Sequence, residues 1–475
     1  MHEVCKKLLA IKPSKAHGPD NVPCRIVKEF AYELAEPITT IFNTSLRSGI
    51  VPAVWKESNV IPIPKIQSPM DEGDFRPISL TPCLAKVLED FVVKWLIDDV
   101  KDKIDPNQFG CLKGTSTTFC LLDMIHNWLT YLDSPGRHLR LCFLDFSKAF
   151  DRIGHNVLIE KLLVLGVRTS LIPWIISFLT NRRQRVKLAG SISDWLPITA
   201  GVPQGTKLGP ILFLVMINNL IIPDHESCTW KYVDDVSLSE GLVRNSNSTI
   251  QASLDTIASW SSSNWMKLNA KKCKEMRICF LKDPIELPHL KIDDQQLELV
   301  TSHKVLGLVI QNNLKWNNHI ESIVTKASKR LHILRVLRRG GVEINDLISI
   351  YSALIRSLLE YCCVVWHHAL PSYLSQELER IQKRAFKIIV PALSYSEALH
   401  FLNLRTLDER RSELCVKTLE KISRGGPLVK HFPVTREHMH HYQTRSANKY
   451  TLIKCRTERL RHSFFPSTIL AFNDL

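Results

Sequence analysis

The feature that most constrains the fold is a pair of adjacent aspartates, Asp234 and Asp235, in the stretch TWKYVDDVSLS. Aspartate is depleted from strands because its short polar side chain competes for backbone hydrogen bonds. The residues on both sides nevertheless have the composition of short strands, so the stretch predicts a β-hairpin with two carboxylates near its tip. The aspartates are either ordinary turn residues or ligands of hard cations such as Mg2+, which prefer oxygen.

A metal site would need a further carboxylate, and Asp145 is the candidate. It ends an apolar, strand-like run in HLRLCFLDFSKAFD. If this strand and the hairpin are neighbours in one sheet, the three carboxylates could hold two metal ions about 3.5–4 Å apart. Such a pair of ions would activate a hydroxyl and stabilise the leaving oxygen of an in-line phosphoryl displacement. The alternative is that Asp145 caps a helix.

The charge of the chain points to polyanions as partners. The formal net charge is +15 over 475 residues, which is typical of a nucleic-acid-binding protein or of a merely soluble basic one. The 13 cysteines contain no C-x-x-C pair, so they predict a reduced, intracellular protein rather than a zinc module or a disulfide framework. No signal peptide is predicted, and the most apolar stretch, residues 210–223, is too short for a membrane span.

Hydrophobic periodicity predicts the order of the elements. Residues 1 to about 60 have helical spacing, and a proline-rich extended stretch and a helix with Thr81 as its N-cap follow. The segments to about residue 310 include a helix over about 155–180, another after Pro210, and several strands. From Asn317 the pattern is that of amphipathic helices, whereas the residues after 395 are basic and weakly periodic. The apolar face of the first amphipathic helix consists of Ile320, Ile323, Ala327, Leu331 and Leu334.

Three motifs occur in order, namely FLDFSKAFDRIGH, GVPQGTKLGPILF and YVDD, and they are flanked by IPIPK, DFRPISLT, WMKLNAKKCKEM and HKVLGLVIQNNLKWNNHI. This ordered set resembles the motifs of reverse transcriptases, in particular the polymerase of LINE-type (non-long-terminal-repeat) retrotransposons of the jockey-like kind. The resemblance spans about residues 12–395, with a fainter similarity in RHSFFPSTILAFNDL. It implies an α+β right-hand polymerase with fingers, a ferredoxin-like antiparallel palm sheet and a helical thumb.

The resemblance also predicts the domain organisation. Its four parts are an N-terminal helical extension of the fingers (1–58), the fingers and palm (59–310), a helical thumb (311–395), and a basic C-terminal region of unclear role (396–475). The chain resembles a fragment of a larger polyprotein. Because the fingers begin almost at Met1, we expect no endonuclease ahead of them.

The resemblance assigns roles to individual residues. Asp145 and Asp234 match the two metal-holding aspartates, and Asp235 matches the third carboxylate beside them. Phe150 matches the steric gate, where a ring under the sugar would collide with a 2′-hydroxyl, although core packing is the alternative. A guanidinium at Arg76 would grip the triphosphate. The full nucleotide-binding set is Phe150, Gln204, Gly205, Arg76, Lys65 and Lys272.

A second set of residues is expected to contact the primer and template. Residues 304–308 resemble the hairpin that holds the primer end, and a basic helix face would contact phosphates without reading sequence. A solvated face is the alternative for that helix. The set consists of Tyr232, Val233, Leu306, Gly307, Lys326, Lys329 and Arg330. The stretch REHMHH, residues 436–441, could bind a metal, although its histidines lack a cysteine or acid at ligand spacing.

The predicted function is RNA-directed DNA polymerisation. Deoxynucleotides would be added to a DNA 3′-hydroxyl with two Mg2+ ions, for which Mn2+ can substitute. The expected partners are an RNA template, a DNA primer and dNTPs, in the nucleus or a cytoplasmic ribonucleoprotein, with no membrane. One alternative is an inactive nucleic-acid-binding remnant with the same fold, against which the intact site residues argue. Another is an RNA-synthesising polymerase, which Phe150 disfavours.

Overall fold

The computed structural model of the protein describes residues 1–222, 227–282, 286–435 and 449–474. The chain forms two compact units and crosses from one to the other several times. The first unit contains residues 1–111, 145–223 and 254–269, and the second contains residues 112–144, 224–253 and 270–475. Neither unit is a continuous stretch of sequence, so the predicted fingers and palm, residues 59–310, contribute to both.

The strands have the following bounds in chain order. They are β1 (Glu57–Pro64), β2 (Phe75–Leu80), β3 (Arg137–Leu144), β4 (Arg182–Leu188), β5 (Ser191–Ile192), β6 (Leu196–Ile198), β7 (Ser227–Tyr232), β8 (Asp235–Val243), β9 (Lys274–Ile278), β10 (Lys291–Ile292), β11 (Gln295–Gln296), β12 (Glu298–Leu299), β13 (Ser302–Val305) and β14 (Leu308–Gln311).

The helices are likewise given in chain order. They are α1 (His2–Leu9), α2 (Cys24–Glu29), α3 (Ala31–Ser48), α4 (Cys83–Val100), α5 (Thr117–Leu132), α6 (His155–Val164), α7 (Ile172–Leu179), α8 (Leu208–Ile217), α9 (Ile250–Ser263), α10 (Asn317–Arg339), α11 (Ile344–Ile350), α12 (Ser357–Leu359), α13 (Cys363–Trp366), α14 (Ser372–Ile389), α15 (Tyr395–Phe401), α16 (Leu407–Ser423), α17 (Glu458–Arg461) and α18 (Phe464–Asn473). A π-helical segment, Tyr351–Arg356, joins α11 to α12.

The sheet of the first unit is built on the proline-rich stretch, which is extended as the sequence predicts. β1 pairs antiparallel with β2 and parallel with β4, and β4 also pairs with β5 and β6. β4 reaches only residues 57–60 of β1. Pro62 and Pro64 therefore lie where β1 has a single neighbour, which is where a residue without an N–H is tolerated in a sheet.

The second unit contains a five-stranded sheet in the order β12-β9-β3-β8-β7. Its pairs are antiparallel, except that β12 runs parallel to β9. The central strand β3 is buried from His138 to Leu144. At one end of the order lies β7, and β8 is its partner in this sheet.

Helix α5 packs on this sheet against β3 and β7. Ser116 caps it by accepting a hydrogen bond from the N–H of Phe119. A Cβ at Gly241 of β8 would overlap the ring of Tyr131, so any other residue would force that ring to shift where α5 crosses the strand. Buried charges are also paired within the sheet, because Arg140 Nε lies 2.9 Å from Glu275 Oε1 and both side chains are almost completely buried.

Several sequence-based element boundaries are wrong. Thr81 does not cap α4, which begins after Pro82, and the Thr81 hydroxyl is buried without a hydrogen-bond partner. The helix predicted over 155–180 is two helices, because Gly166 adopts a φ of 75° between them. Helix α8 begins at Leu208 rather than after Pro210, since the buried Glu89 accepts hydrogen bonds from the N–H groups of Lys207 and Leu208.

The helical part of the second unit agrees with the sequence up to residue 395. The five residues that define the predicted apolar face of α10 are all buried. Beyond residue 395, α15 to α18 form regular structure that the weak periodicity of this region did not predict. Among the described residues, one helical stretch, Ile344–Ala369, is long and apolar enough to cross a membrane, with a mean hydropathy of 1.5. Leu347, Tyr351 and Leu359 of that stretch are fully buried, as in a core helix.

Candidate functional site

The aspartate pair lies at the tip of a tight hairpin, as predicted. Tyr232 of β7 pairs with Asp235 of β8, so Val233 and Asp234 form the turn. Val233 is buried and adopts a φ of 60°. This conformation is an outlier for a β-branched residue, and such strain persists where the surroundings impose it, often at a functional site. Asp234 is half-buried and Asp235 is exposed.

The strand that leads to Asp145 is the neighbour of this hairpin. Within the second unit β3 pairs with β8, and its last residue, Leu144, lies opposite Val236. The prediction that the two strands are adjacent in one sheet is therefore confirmed. Asp145 follows Leu144 directly in the chain and is half-buried, and the boundary between the two units falls between these two residues.

In the first unit, the backbone after Asp145 is held by the segment 267–269. The Asp145 carbonyl accepts a hydrogen bond of 2.8 Å from the N–H of Asn269, and the N–H of Ser147 donates to the carbonyl of Lys267 at 2.7 Å. Lys267 and Asn269 belong to the predicted motif WMKLNAKKCKEM. Lys272 of the same motif is exposed and lies two residues before β9.

Phe150 lies in a short 3₁₀ turn, Ala149–Asp151, and is half-buried. Its ring stacks on Phe213 with the centroids 4.8 Å apart and an angle of 21° between the planes. Its carbonyl accepts a hydrogen bond from the N–H of Val202. One face of the ring is therefore packed while part of the side chain stays accessible, which agrees with a packing role and leaves the steric-gate role as a prediction.

The loop that contains Gln204 and Gly205 lies against β2. The Gln204 carbonyl accepts a hydrogen bond of 2.6 Å from the N–H of Ser79. Gly205 has a φ of 117°, and a Cβ at this position would be 2.6 Å from the Ser79 carbonyl oxygen. The glycine is thus required by the close approach of a strand, a reason that the sequence did not reveal. Contact of the loop with a nucleotide stays a prediction.

Asp151 is a candidate functional residue that sequence reasoning missed. The Gln204 side-chain amide donates a hydrogen bond of 3.2 Å to Asp151 Oδ1. Burial raises the pKa of the Asp151 carboxyl above its usual value, although the Gln204 hydrogen bond and the charges of Lys148 and Lys65 oppose the rise. The motif contained the signal, because Asp151 ends FLDFSKAFD, but its partner is 53 residues away.

The two predicted triphosphate-binding cations lie on the β1–β2 hairpin of the first unit. Lys65 follows β1, and its ammonium donates a hydrogen bond of 2.8 Å to the carbonyl of Gly73. Arg76 lies on β2 opposite Ile63 and is exposed. Both side chains are accessible for binding an anion, which is the property that their predicted role requires.

The predicted primer hairpin, β13–β14 of the second unit, has Leu306 and Gly307 at its tip, both with positive φ. The Tyr361 hydroxyl donates a hydrogen bond of 2.8 Å to the Leu306 carbonyl. A Cβ at Gly307 would be 2.8 Å from the Tyr361 ring. Burial raises the pKa of Tyr361, and a smaller contribution comes from the nearby Tyr232. Tyr361, which the sequence did not single out, thus contacts the tip of the predicted primer hairpin.

The basic residues of α10 divide into two groups. Lys326 and Lys329 are exposed, as a phosphate-binding face requires. Arg330 is half-buried, and its guanidinium donates a hydrogen bond to the carbonyl of Leu354. Arg330 therefore also supports the packing of the helix, and the phosphate-binding role of all three residues stays a prediction.

A lysine-lined cavity of about 500 Å3 in the first unit is a second feature that sequence reasoning missed. Its lysines come from α1, the loop after α1, α4 and the start of α8. No local run of charge in the sequence therefore indicated the cavity. Asp90 pairs with Lys7 and Lys207. Burial lowers the pKa of Lys86 below its ordinary value, and Lys15 lowers it further, while Glu89 opposes the change. The lysines that line the cavity are Lys6, Lys7, Lys12, Lys15, Lys86, Lys94 and Lys207.

The structure also bears on ready-made metal sites. Within the ranges that it describes, no three His, Cys, Asp or Glu side chains are grouped so that they could hold a metal ion. The stretch REHMHH, the other metal-binding candidate, lies outside the described residues.

A mainly antiparallel sheet with an aspartate hairpin, a neighbouring strand that runs into a third aspartate, and a following set of helices are the features of the right-hand nucleic-acid polymerases. The chain belongs to the reverse transcriptase (RNA-dependent DNA polymerase) family, whose sequence profile matches residues 63–310. The predicted family and the predicted fold class are both confirmed.

The relatives belong to mobile elements. The chain is 27% identical over 444 residues to the RNA-directed DNA polymerase from mobile element jockey of Drosophila melanogaster, covering 89% of this chain and 47% of that protein. It is 26% identical to the probable RNA-directed DNA polymerase from transposon BS of the same organism, covering 90% and 49%. The chain thus spans about half the length of these relatives. A solved structure of apo telomerase from Candida tropicalis is similar with a TM-score of 0.42 and 13% identity, over 86% of this chain and 73% of that one. So distant a likeness carries no weight for function.

Proposed function

We propose that the protein is an RNA-directed DNA polymerase that adds deoxynucleotides to a DNA 3′-hydroxyl on an RNA template. The observation that carries the proposal is the pairing of β3 with β8 in the second unit. Leu144, the residue before Asp145, lies opposite Val236, the residue after Asp235. The names of the relatives, which are RNA-directed DNA polymerases of mobile elements, support the same activity. A nuclear or cytoplasmic ribonucleoprotein as its setting is part of the proposal.

The donor set fits a pair of Mg2+ ions. Asp145, Asp234 and Asp235 offer only carboxylate oxygens, which are the ligands that Mg2+ prefers, and all three side chains are at least partly accessible. Mg2+ is usually bound by one or two carboxylates together with substrate phosphates rather than by an all-protein cage. A site completed by the substrate is therefore compatible with the lack of a ready-made metal cluster among the described residues.

When bound, the two ions would activate the primer hydroxyl and stabilise the leaving oxygen of the pyrophosphate. The protein's own groups would do the rest. Asp145, Asp234 and Asp235 would hold the reacting centre at the hairpin, while Arg76 and Lys65 would bind the triphosphate. Lys272 would donate a proton to the leaving group.

The remaining site residues would select and orient the substrates. Phe150 would exclude the 2′-hydroxyl of a ribonucleotide, and the loop of Gln204 would lie along the incoming nucleotide. Tyr232, with Leu306 and Gly307, would hold the primer end. The lysine-lined cavity and the exposed lysines of α10 support binding of nucleic-acid phosphates, which is largely electrostatic.

Primer extension on a poly(rA) template with an oligo(dT) primer and Mg2+ tests the proposal. We expect the wild-type chain to extend the primer and Asp145→Asn and Asp234→Asn to lose extension by at least about a hundredfold, since each removes a charged ligand from the reacting centre. Binding of the template–primer should change little in either variant. Asp194→Asn, an exposed aspartate of the first unit, is the matched control and should extend normally.

Two outcomes would contradict the proposal. A wild-type chain that binds the template–primer without extending it would be an inactive remnant with the polymerase fold. Full extension by Asp145→Asn or Asp234→Asn in Mg2+ would remove these carboxylates from the reaction.

A further inference from the structure

The described residues of the C-terminal region lie against the helix that supports the aspartate hairpin. We call residues 427–435 and 449–474 the C-terminal latch. Its helices α17 and α18 pack against α5, and α5 packs against β3 and β7. Phe465, Thr468 and Ile469 of the latch are fully buried. The latch is therefore part of the core of the second unit.

Asp123 of α5 is the point at which the latch and the sheet meet. This aspartate is 1% exposed. His431 Nε2 lies 2.6 Å from its Oδ1, and the Lys430 ammonium lies 2.9 Å from the same oxygen. The indole N–H of Trp230 donates a hydrogen bond of 2.7 Å to Oδ2. One carboxylate thus accepts from two latch residues and from strand β7.

The environment keeps this carboxylate charged. Burial alone would raise the pKa of Asp123, but the hydrogen bonds from His431 and Lys430 outweigh burial and hold the pKa below its ordinary value. A buried carboxylate that loses one donor is left partly unsatisfied, and that costs more than an average hydrogen bond. The positions of the three donors, His431, Lys430 and Trp230, are therefore strongly coupled to one another.

Aromatic packing and a second polar anchor fix the latch around this point. The ring of Phe465 lies 4.6 Å from His126 and 5.2 Å from His431. At the end of α5, Asp133 accepts hydrogen bonds of 2.8 Å from the N–H groups of Arg456 and Thr457. The latch is thus attached near the middle of α5 and at its C-terminal end, through polar groups in each case.

The anchored strand is the one that carries the hairpin. β7 has β8 as its partner in the sheet and lies at the end of the strand order. Trp230 is two residues before Tyr232, so the two side chains lie on the same face of the strand, and the strained turn at Val233 follows immediately. A strand with one sheet neighbour can shift more easily than a central one. The hydrogen bond from Trp230 to Asp123 of α5 opposes such a shift of β7.

We propose that the C-terminal latch positions the aspartate hairpin through a chain of hydrogen bonds from His431 to Asp123 and from Trp230 to Asp123. In this role Asp123, His431 and Trp230 are positioning residues, and none of them touches substrate. The inference rests on the proposed polymerase function for its catalytic consequence, but the order of the hairpin can be measured without activity.

The test compares two tryptophan variants in the full chain. Trp230→Phe removes the N–H that reaches Asp123 and keeps a ring in the core. Trp174→Phe is the matched control, because Trp174 is also buried and its indole N–H also donates one hydrogen bond, of 3.0 Å, to Ser45 in the first unit. The measurements are hydrogen–deuterium exchange of peptides that cover residues 231–236, and the kcat and KM for dNTP in primer extension well below the melting temperature of each variant.

We expect Trp230→Phe to speed exchange at the hairpin and to lower kcat by at least about tenfold with KM changed less than about twofold, since small displacements of reacting groups cost up to about a hundredfold. Trp174→Phe should leave both readouts unchanged at a similar loss of melting temperature. His431→Gln, whose amide can still donate to Asp123, should remain close to wild type, whereas His431→Leu should reproduce the effect of Trp230→Phe.

Unchanged hairpin exchange in both Trp230→Phe and His431→Leu would overturn the inference. If Trp230→Phe does not fold, the comparison of His431→Leu with His431→Gln tests the inference on its own. If the wild-type chain orders its hairpin as expected but fails to extend a primer, the proposed function fails while the positioning role stands. If the wild-type chain extends a primer and neither variant alters kcat, the latch has no catalytic role.

Discussion

At the scale of single residues, the candidate site includes a backbone conformation that the residue type disfavours. Val233 is a β-branched residue with a φ of 60°, although a two-residue hairpin turn usually has asparagine or glycine there. Gly205 is the opposite case, because its φ of 117° and the 2.6 Å approach of Ser79 leave no room for a side chain. The conformation of Val233 is costly and is kept only where the surroundings impose it, whereas Gly205 adopts a positive φ without that cost. Both lie within the segments predicted to bind substrate.

The stacked ring of Phe150 leads to a prediction about sugar selection. Phe150→Val should raise the incorporation of ribonucleotides relative to deoxynucleotides by at least about tenfold, since removing part of a side chain from a pocket changes discrimination by about 1–3 kcal/mol. Single-nucleotide incorporation of each substrate by each protein measures the ratio.

The control for this prediction is Phe146→Val. Phe146 is the aromatic residue directly after Asp145 and is buried, whereas Phe150 is half-buried. The Phe146 ring contacts Trp260 edge-on, so its loss should lower the stability of the first unit without changing the sugar ratio. If the ratio is the same in Phe150→Val as in wild type while activity is retained, Phe150 serves only to pack against Phe213.

At the scale of elements, α10 has a buried apolar face and an exposed basic face. Five apolar residues face the core, Arg330 bonds to the carbonyl of Leu354, and Lys326 and Lys329 face solvent. Binding by phosphate contact depends on salt, because each neutralised phosphate releases counterions. The lysines and the arginine should therefore respond differently to substitution.

The double variant Lys326→Gln/Lys329→Gln should bind template–primer more weakly on any sequence and should reduce the slope of log affinity against log salt by roughly 1 per lysine. Arg330→Gln should instead lower the melting temperature. Titration at several salt concentrations measures the slope, and Lys101→Gln, an exposed lysine of the first unit, is the control. A slope equal to that of Lys101→Gln would mean that the face of α10 is only solvated.

At the scale of elements, some features could be predicted from the sequence and others could not. The hairpin at Asp234 and the face of α10 were predictable because periodicity and turn residues are local signals. The start of α8 was not, since the carboxylate that caps it, Glu89, is 118 residues from Lys207. The contact of Asp151 with Gln204 and the ordered latch could not be predicted for the same reason, because each depends on partners brought together by the fold.

At the scale of the whole molecule, buried histidines predict sensitivity to acid. Burial is the main cause that lowers the pKa of His126 to about 3 and the pKa of His319, His367 and His368 to about 4 each. All four lie in the second unit. They stay neutral in the folded chain but take up protons near pH 6.5 when unfolded. Their stabilising effect is complete above that pH and is lost as the pH falls towards 4.

We therefore expect the free energy of unfolding to fall between pH 7 and pH 5, with a slope of up to about 1.4 kcal/mol per pH unit for each proton that the unfolded chain takes up. Urea unfolding at pH 7.5, 6.5, 5.5 and 4.5 measures the slope. His368→Gln should make the slope shallower, whereas His332→Gln, an exposed histidine of α10, should leave it unchanged. Constant stability from pH 7 to pH 5 would contradict the burial of these side chains.

The contact between Asp123 and His431 has a consequence for synthesis of the chain. The two residues are 308 positions apart, and a ribosome adds roughly 5–20 residues per second. The carboxylate therefore leaves the ribosome about 15–60 s before the residue that completes its hydrogen bonds. During that interval α5 cannot reach its final surroundings, and its apolar face is open to chaperones or to other nascent chains. Synthesis of the latch, rather than collapse of the first half of the chain, should be the event that completes the second unit.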